Sequence, residues 1–543
     1  MNKLKPLIPF ALISILQSCG NVSDTPTKST NYWNDPLFSY SWSLKNIGQK
    51  IFSYNGGVSG EDINVSKAHS VEKLTGKGIK IVISDTGIQE NHPDLEENLL
   101  KEERKNYKNN KISNSYLKPS QPHGTMVSGI IGALGNNGIG SVGIAPEATM
   151  IDYNWLDPNL KVTDLEKQTI KNDQYSGDYD IFNFSWGIPI CFPFVKEDDQ
   201  NIKKLRYQAT KGRGRKGVIF VQSSGNGFGT KCKNDLFVIA NSVAKGSLNT
   251  NYKIVVGSYN ASGVKSSYST PGPNLWISAP GGEYGKNSPA IVAPIIMDYF
   301  KSYGPIDLGF RKGPDWNGMT DRMNGTSAAA PMVSGSIALI LESNPNLTLK
   351  DVKYIIAKTA RKIDPSSSGW KRNAAGFNFN NYYGFGSIDV DTAIKLAKTY
   401  RPNRFGKTIE TNNFFEKSKA QNLNEIRGEK EISNIKIKND KRIEIKLNVS
   451  SNLETESVQI MISLKGKINE LGLELVSPSG TTSKIFNKNS NIKGDGLDDF
   501  VFLSNAFFGE ASRGDWKLRI TKSGNNDMEL IGWAININGH EVK

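Results

Sequence analysis

Hydrophobic periodicity changes once along this 543-residue chain, and that change does most to limit its fold. From about Asn34 to Tyr400, short apolar runs alternate with helical patterns. The strand-like runs are Gly78–Ser84, Thr149–Trp155, Tyr179–Phe184, Gly217–Val221 and Lys253–Val256. The helix-like stretches include Gly124–Leu134, Ser327–Glu342 and Leu349–Ala360. Such alternation predicts an α/β domain with a mainly parallel sheet flanked by helices over residues 34–400. Residues 401–430 are polar and rich in Asn and Lys, and read as a linker. Over 431–543 the period becomes two. Ile443, Ile445, Leu447 and Val449 alternate with polar residues, as do Val458, Ile460, Ile462 and Leu464, then Trp516, Leu518 and Ile520. With turns such as Ser477-Pro478-Ser479-Gly480, this predicts a smaller all-β sandwich.

The N-terminus reads as a targeting segment. Lys3 and Lys5 precede an apolar stretch, Pro6 to Leu16, too short to cross a bilayer. It ends in Leu16-Gln17-Ser18-Cys19, which resembles a bacterial lipobox. Residues 1–19 are then a lipoprotein signal peptide with Cys19 the lipidated residue. The alternative is an ordinary secretion signal that contains a cysteine. Residues 20–33, rich in Ser, Thr and Asn, read as a tether. The expectation is an exported chain, lipid-anchored to a bacterial membrane in the cell envelope. Cys191 and Cys232 then remain in an oxidising place, either bridged or as two separate buried thiols.

Composition removes some classes. The aromatic content (9 Trp, 19 Tyr, 23 Phe) excludes a wholly disordered chain. The net charge of +14 is spread along the sequence, without the clustered patch that nucleic-acid binding needs.

Nucleophilic hydrolysis needs a nucleophile, a base and an acid that orients the base. The chain has only 4 His: His69, His92, His123 and His540. His540 lies near the C-terminus and reads as solvated. His69 sits in a polar helix-like context and reads as surface. His123 opens a small-residue helix that another element can approach closely. For the nucleophile, Asn324-Gly325-Thr326-Ser327-Ala328-Ala329-Ala330-Pro331 places Ser327 at a helix N-terminus, where backbone N–H groups favour an oxyanion. For the acid, Asp85 closes the apolar run Ile81–Ser84, and ligand groups collect at strand carboxyl ends in open α/β sheets. Each segment alone also fits an ordinary turn, cap or core residue.

Together, Asp85-Thr86-Gly87, His123-Gly124-Thr125 and Gly325-Thr326-Ser327-Ala-Ala-Ala-Pro331 resemble the subtilisin-like serine proteases, which carry Asp, His and Ser in this order. The resemblance implies that Ser327 attacks, His123 moves the proton, Asp85 holds the imidazole, and Asn226 of Ser223-Ser224-Gly225-Asn226 donates to the oxyanion. Phe184-Ser185-Trp186-Gly187 looks like the substrate-binding strand of the kexin/furin branch, and Tyr383–Asp389 like its closing segment. Leu473–Gly480, Gly509-Glu510, Gly514-Asp515-Trp516 and Gly532-Trp533 resemble the P (Homo B) domain of that branch. The resemblance thus implies a serine endopeptidase whose substrate-binding residues include Ser185, Trp186, Gly187, Ser224 and Gly225. The rival is a catalytically silent surface lipoprotein that uses the same fold for binding. A lipase or esterase is disfavoured, because no Gly-x-Ser-x-Gly elbow surrounds Ser327.

Four further expectations come with the family. A structural Ca²⁺ would take oxygens from Asp35, Asp94 and Asn137 and the carbonyls of Leu134, Ile139 and Ser141, although plain turn chemistry also accounts for that loop. Relatives usually carry a folding propeptide, for which the stretch between Cys19 and Asp35 is too short. Either the chain folds unaided or a separate protein helps. Cys191 and Cys232 follow segments that flank one pocket, which would make them neighbours. Finally, kexin and furin cleave after basic residues. Here Ile188-Pro189-Ile190-Cys191-Phe192 follows Gly187, and acids come only at Glu197, Asp198 and Asp199. An acid returned to the pocket would keep a basic residue at P1 (the acyl side of the cleaved bond), and the resemblance favours that outcome. If the acids stay outside, Ile190 and Phe192 would make the pocket apolar.

Overall fold

A computed structural model describes residues 32–107, 121–156, 175–187, 194–232, 237–238, 240–297, 318–412, 435–439 and 441–542. The first domain is built on strands β1 (Lys80–Asp85), β2 (Lys105–Asn106), β3 (Thr149–Asn154), β4 (Ile181–Phe184), β5 (Ile219–Ser223), β6 (Lys253–Tyr259) and β7 (Ile277–Pro280). They form one sheet in the order β2-β3-β1-β4-β5-β6-β7. Every pairing is parallel. The central strands are buried along almost their whole length, and this explains why they read as continuous apolar runs rather than alternating ones. The chain leaves β1 toward β2 and β3 on one side and takes up β4 on the other. That reversal opens a crevice at the carboxyl ends of β1 and β4, just beyond Asp85 and Phe184.

Helices α1 (His123–Gly132), α2 (Asp199–Arg215), α3 (Thr326–Ser343), α4 (Leu349–Thr359) and α5 (Val390–Thr399) surround the sheet. α3 is apolar on all sides and buried from Ala328 to Leu341, as a helix in the middle of a domain must be. α4 starts with a reciprocal capping box between Thr348 and Asp351. The sequence reading placed five of the strands within a few residues but did not find β2, β7, α2 or α5.

The second domain is a sandwich. One sheet joins Glu529–Glu541 to Leu453–Lys465 and Gly496–Ser504; the other runs Ile443–Val449, Gly514–Lys522, Leu471–Val476, Thr482–Phe486. Trp516, Leu518, Ile520, Phe500, Phe502 and Phe507 fill the space between them. Its loop Asn505–Phe508 docks on the first domain. Asn505 Nδ2 donates to Asn274 O (2.9 Å), Asn373 Nδ2 donates to Phe508 O (2.8 Å), and the Phe508 ring packs on Trp276 and Phe377.

Two readings need correction. The expected linker 401–430 is not wholly a linker, because Ile409–Glu410 pairs with Asn538 and Gly539 as an edge strand of the sandwich. His540 is not a solvated tail residue. It is buried in the last strand and lies 3.2 Å from Glu456 and 3.6 Å from Glu454. Burial pushes its pKa down, but these two carboxylates outweigh that and leave it raised.

Candidate active site

Asp85 ends β1 and is fully buried. His123 is the first residue of α1, and its Nδ1 lies 2.7 Å from Asp85 Oδ1. Gly124 makes this approach feasible: a Cβ there would stand 2.4 Å from Gly87 O, so only glycine lets the start of α1 rest on the loop after β1. Thr86 ties the two segments by accepting the Gly124 N–H at Oγ1 (2.9 Å), and its own N–H donates to Asp85 Oδ1 (2.7 Å). Burial pushes the imidazole pKa down, but the Asp85 charge and hydrogen bond outweigh it. The result is a histidine raised above its ordinary value.

Ser327 lies in the first turn of α3. Its Oγ donates to Ser185 O (2.8 Å), and Ser185 Oγ donates back to Ser327 O (3.0 Å). In an uninterrupted helix the N–H of residue 331 would reach Ser327 O. Residue 331 is a proline, which has no N–H, so that carbonyl is open to the Ser185 hydroxyl.

Asn226 follows β5, and its orientation is fixed from one side. Its Oδ1 accepts from Thr326 N–H (2.9 Å) and Thr326 Oγ1 (2.8 Å). The acceptor end is thereby occupied, and Nδ2 is left to face the cleft beside Gly325. Tyr268 holds the same turn by accepting the Gly325 N–H at Oη (2.7 Å). The sequence reading passed over Thr326 and Tyr268 as anchors. Thr326 lay inside a motif already singled out, whereas Tyr268 carried no local signal.

Ser185, Trp186 and Gly187 extend beyond β4, and Ser224 and Gly225 extend beyond its neighbour β5. Gln222 Nε2 joins the two extensions by donating to Trp186 O (2.5 Å). Trp186 packs edge-to-face on Trp155, with centroids 4.6 Å apart. Ser327 adjoins the crevice at these strand ends through its two bonds to Ser185.

Of the other histidines, His69 is not a surface residue. It is buried, its Nε2 lies 2.7 Å from Ile144 O, and burial pushes its pKa down to about 4. Cys232 is disulfide-bonded. Cys19 and Cys191 lie outside the described residues, as do Ile188, Pro189, Ile190 and Phe192.

Of the expected cation ligands, Asp35, Asp94 and Asn137 are joined by hydrogen bonds. Asp35 and Asp94 are both buried. Asp35 accepts the N–H groups of Asn136 (2.9 Å) and Asn137 (3.3 Å). Among the described residues Asp94 Oδ2 has no hydrogen-bond partner, and burial pushes that carboxyl up to about 8. No described hydrogen bond ends on the carbonyls of Leu134, Ile139 or Ser141. Asn137 faces the other way: its Nδ2 donates to Asp94 Oδ1 (2.9 Å) and its Oδ1 accepts from Ile139 N–H (2.9 Å). Among the described residues no group of three or more His, Cys, Asp or Glu gathers for a metal. Two carboxylates with free carbonyls are a hard-oxygen set, suited to Ca²⁺ rather than to a transition metal.

Comparison with known proteins agrees with this geometry. Residues 76–386 match the subtilase family, and residues 453–537 match the proprotein convertase P-domain. The chain is 29% identical to the Aeromonas extracellular serine protease of Aeromonas sobria, over 100% of this chain and 98% of that protein. It is 27% identical to kexin of Saccharomyces cerevisiae, over 94% of this chain and 57% of kexin. Among solved structures, the serine protease of Aeromonas sobria superposes with a TM-score of 0.82 at 28% identity, covering 96% of this chain and 99% of that one. The same protease in complex with the chaperone ORF2 gives a TM-score of 0.84 at 28% identity, covering 97% and 98%. With the subtilase model matched over residues 76–386, the P-domain model over 453–537 and a solved serine protease superposing on nearly the whole fold, the chain belongs to the subtilase family of serine endopeptidases.

Proposed function

We propose that this chain hydrolyses peptide bonds through an acyl-enzyme. Ser327 Oγ attacks the substrate carbonyl. His123 takes the hydroxyl proton and passes it to the leaving amine, and water then releases the acyl group by the same route reversed. Asp85 fixes the imidazole tautomer and stabilises the imidazolium. Asn226 Nδ2 and a backbone N–H of the α3 first turn steady the oxyanion. The observation that carries this reading is the 2.7 Å bond between His123 Nδ1 and the buried Asp85, in a fold that sets Ser327 in the first turn of α3. At rest the Ser327 hydroxyl is turned toward Ser185 O, and the reaction requires it to turn from there to the imidazole; catalytic hydrogen bonds often tighten only with substrate bound. The intact triad weighs against a silent binding protein. Fluorophosphonate labelling and peptide turnover test the assignment: both should vanish in Ser327→Ala, and undiminished turnover in that variant would refute it.

Calcium is proposed for the Asp35–Asp94 site, held by both carboxylates and the carbonyls of Leu134, Ile139 and Ser141. The unpartnered Asp94 Oδ2 supports it, since a buried carboxylate without a partner is costly. Asn137 would join only after its amide turns over. Bound Ca²⁺ would neutralise the acidic pair and pin the loop after α1.

A separate folding helper is proposed from the similarity to a protease solved with a chaperone. Lipid anchoring at Cys19 and a Cys191–Cys232 bridge rest on the sequence argument, and the disulfide at Cys232 supports the second. Among the described residues no helix is long and apolar enough to cross a membrane. A basic P1 preference rests on the kexin likeness alone. It requires an acid in the pocket beside Ser327.

A further inference from the structure

The cleft beside Ser327 holds a charge of the opposite sign. Lys245, from the segment before β6, reaches between the two cleft walls. Its Nζ stands 2.7 Å from where a Cβ on Gly225 would lie and 3.6 Å from the same point on Gly187. The ammonium therefore rests against the backbone of both extensions, in space that their glycines leave open.

Lys245 is only 6% exposed, and among the described residues its Nζ makes no hydrogen bond or ion pair. Burial pushes the amine down to about 8, and among the described residues no carboxylate acts against it. Two other buried lysines, Lys253 and Lys353, are compensated. Lys253 Nζ donates to Gln222 Oε1 (3.3 Å) and feels the Glu197 charge. Lys353 Nζ donates to Asn251 O (2.7 Å) and lies 3.9 Å over the Trp276 ring. A desolvated cation left unpaired in a folded protein is costly, and a site that keeps one suits a ligand that brings the countercharge.

The acids that follow the cleft segment in sequence are engaged elsewhere. Glu197 accepts from Asn201 Nδ2 (2.9 Å), and Asp198 caps α2 by accepting the Gln200 N–H (2.8 Å). Asp199 stands in the first turn of α2, where a carboxylate complements the helix dipole.

We propose that Lys245 is the specificity-determining residue of this pocket and selects Asp or Glu at P1, the reverse of a basic preference. The inference rests on the endopeptidase reading of the same site. A P1 carboxylate would supply the one charge-assisted partner that the ammonium lacks. An Arg or Lys side chain would bring a like charge into the same desolvated space. A Leu or Phe would fill the pocket and leave the cation unpaired.

The test uses the full chain and four fluorogenic peptides that differ only at P1, carrying Glu, Asp, Arg or Leu. Glu or Asp should be cleaved with kcat/KM about tenfold or more above Arg. In Lys245→Met the acid preference should disappear and Leu should become the best substrate. Arg or Leu best in the unaltered protein, or an acid preference that survives in Lys245→Met, overturns the assignment and leaves the endopeptidase reading standing. Failure of all four peptides together with no fluorophosphonate labelling of Ser327 overturns both.

Discussion

Ser185 and Ser327 are joined by two reciprocal hydrogen bonds: the Ser327 hydroxyl donates to the Ser185 carbonyl at 2.8 Å, and the Ser185 hydroxyl donates to the Ser327 carbonyl at 3.0 Å. The nucleophile is thereby locked to the cleft wall it serves. The lock depends on Pro331, which cannot make the helix bond that would otherwise use the Ser327 carbonyl. Ser185→Ala should leave that carbonyl without a partner, at about 1–3 kcal/mol. Pro331→Ala returns a competing N–H, so the loss caused by Ser185→Ala should shrink in that background. Chemical denaturation and kcat of the two single variants and the double variant measure the coupling. Strict additivity would show that proline and serine act independently.

Asn226 is aimed by Thr326. Asn226→Ala removes the proposed oxyanion donor and should lower kcat by about 10²–10³-fold with little change in KM. Thr326→Val removes the hydroxyl that holds Oδ1 while keeping the shape of the side chain. It should lower kcat by a smaller factor, and KM should again hardly move. Steady-state kinetics on one peptide checks both. A Thr326→Val variant with unchanged kcat would show that the backbone bond from Thr326 N–H is a sufficient anchor.

The raised pKa of His123 sets the pH dependence. Catalysis needs the neutral imidazole, so kcat/KM should rise with pH through an apparent pKa above the ordinary imidazole value. The stability effect has the opposite sign. The charged His123–Asp85 pair stabilises the fold fully below the unfolded imidazole pKa, and that contribution is lost as pH rises through the folded value. His123→Gln should abolish turnover and flatten the stability dependence across that window. The checks are a pH–rate profile of the unaltered protein and thermal midpoints of both proteins.

Removal of calcium should expose the cost of two facing carboxylates. A chelator should lower the thermal midpoint, and added Ca²⁺ should restore it. Asp94→Asn removes the buried carboxyl whose Oδ2 lacks a partner among the described residues. That variant should be less sensitive to chelator, and without Ca²⁺ it should be at least as stable as the unaltered chain. Differential scanning calorimetry with and without chelator decides it, and a midpoint indifferent to chelator in the unaltered chain counts against the site.

Phe508 carries the packing of the P-domain sandwich on the protease domain, touching Trp276, Phe377 and Phe385. Phe508→Ala should cost about 3–5 kcal/mol, the range for deleting a buried aromatic side chain. If the two domains stabilise each other, denaturation should lose cooperativity and activity should fall with it, although Phe508 lies outside the catalytic cleft. A single unshifted transition would show that the domains stand independently.

The sequence was sufficient wherever the deciding physics is local. β1 and β3–β6 follow from apolar runs that must be buried on both faces, and the sandwich follows from period-two alternation. Asp85, His123 and Ser327 were legible because each sits at a fixed place in its own element: a strand end, a helix start and the turn before an apolar helix. Only the tertiary structure decided what surrounds a charge. His69 and His540 look like solvated residues in their local contexts, yet both are buried, because elements distant in sequence close over them. Glu197 and Asp198 looked available to the pocket, but α2 and its cap engage them. Lys245 gave no signal at all, since an isolated lysine between Ala244 and Gly246 is ordinary in a loop. Its position between Gly187 and Gly225 arises only when β4 and β5 lie side by side and the segment before β6 folds beneath their ends. Desolvation and pairing depend on distances through space, and hydrophobic periodicity along a chain carries no record of them.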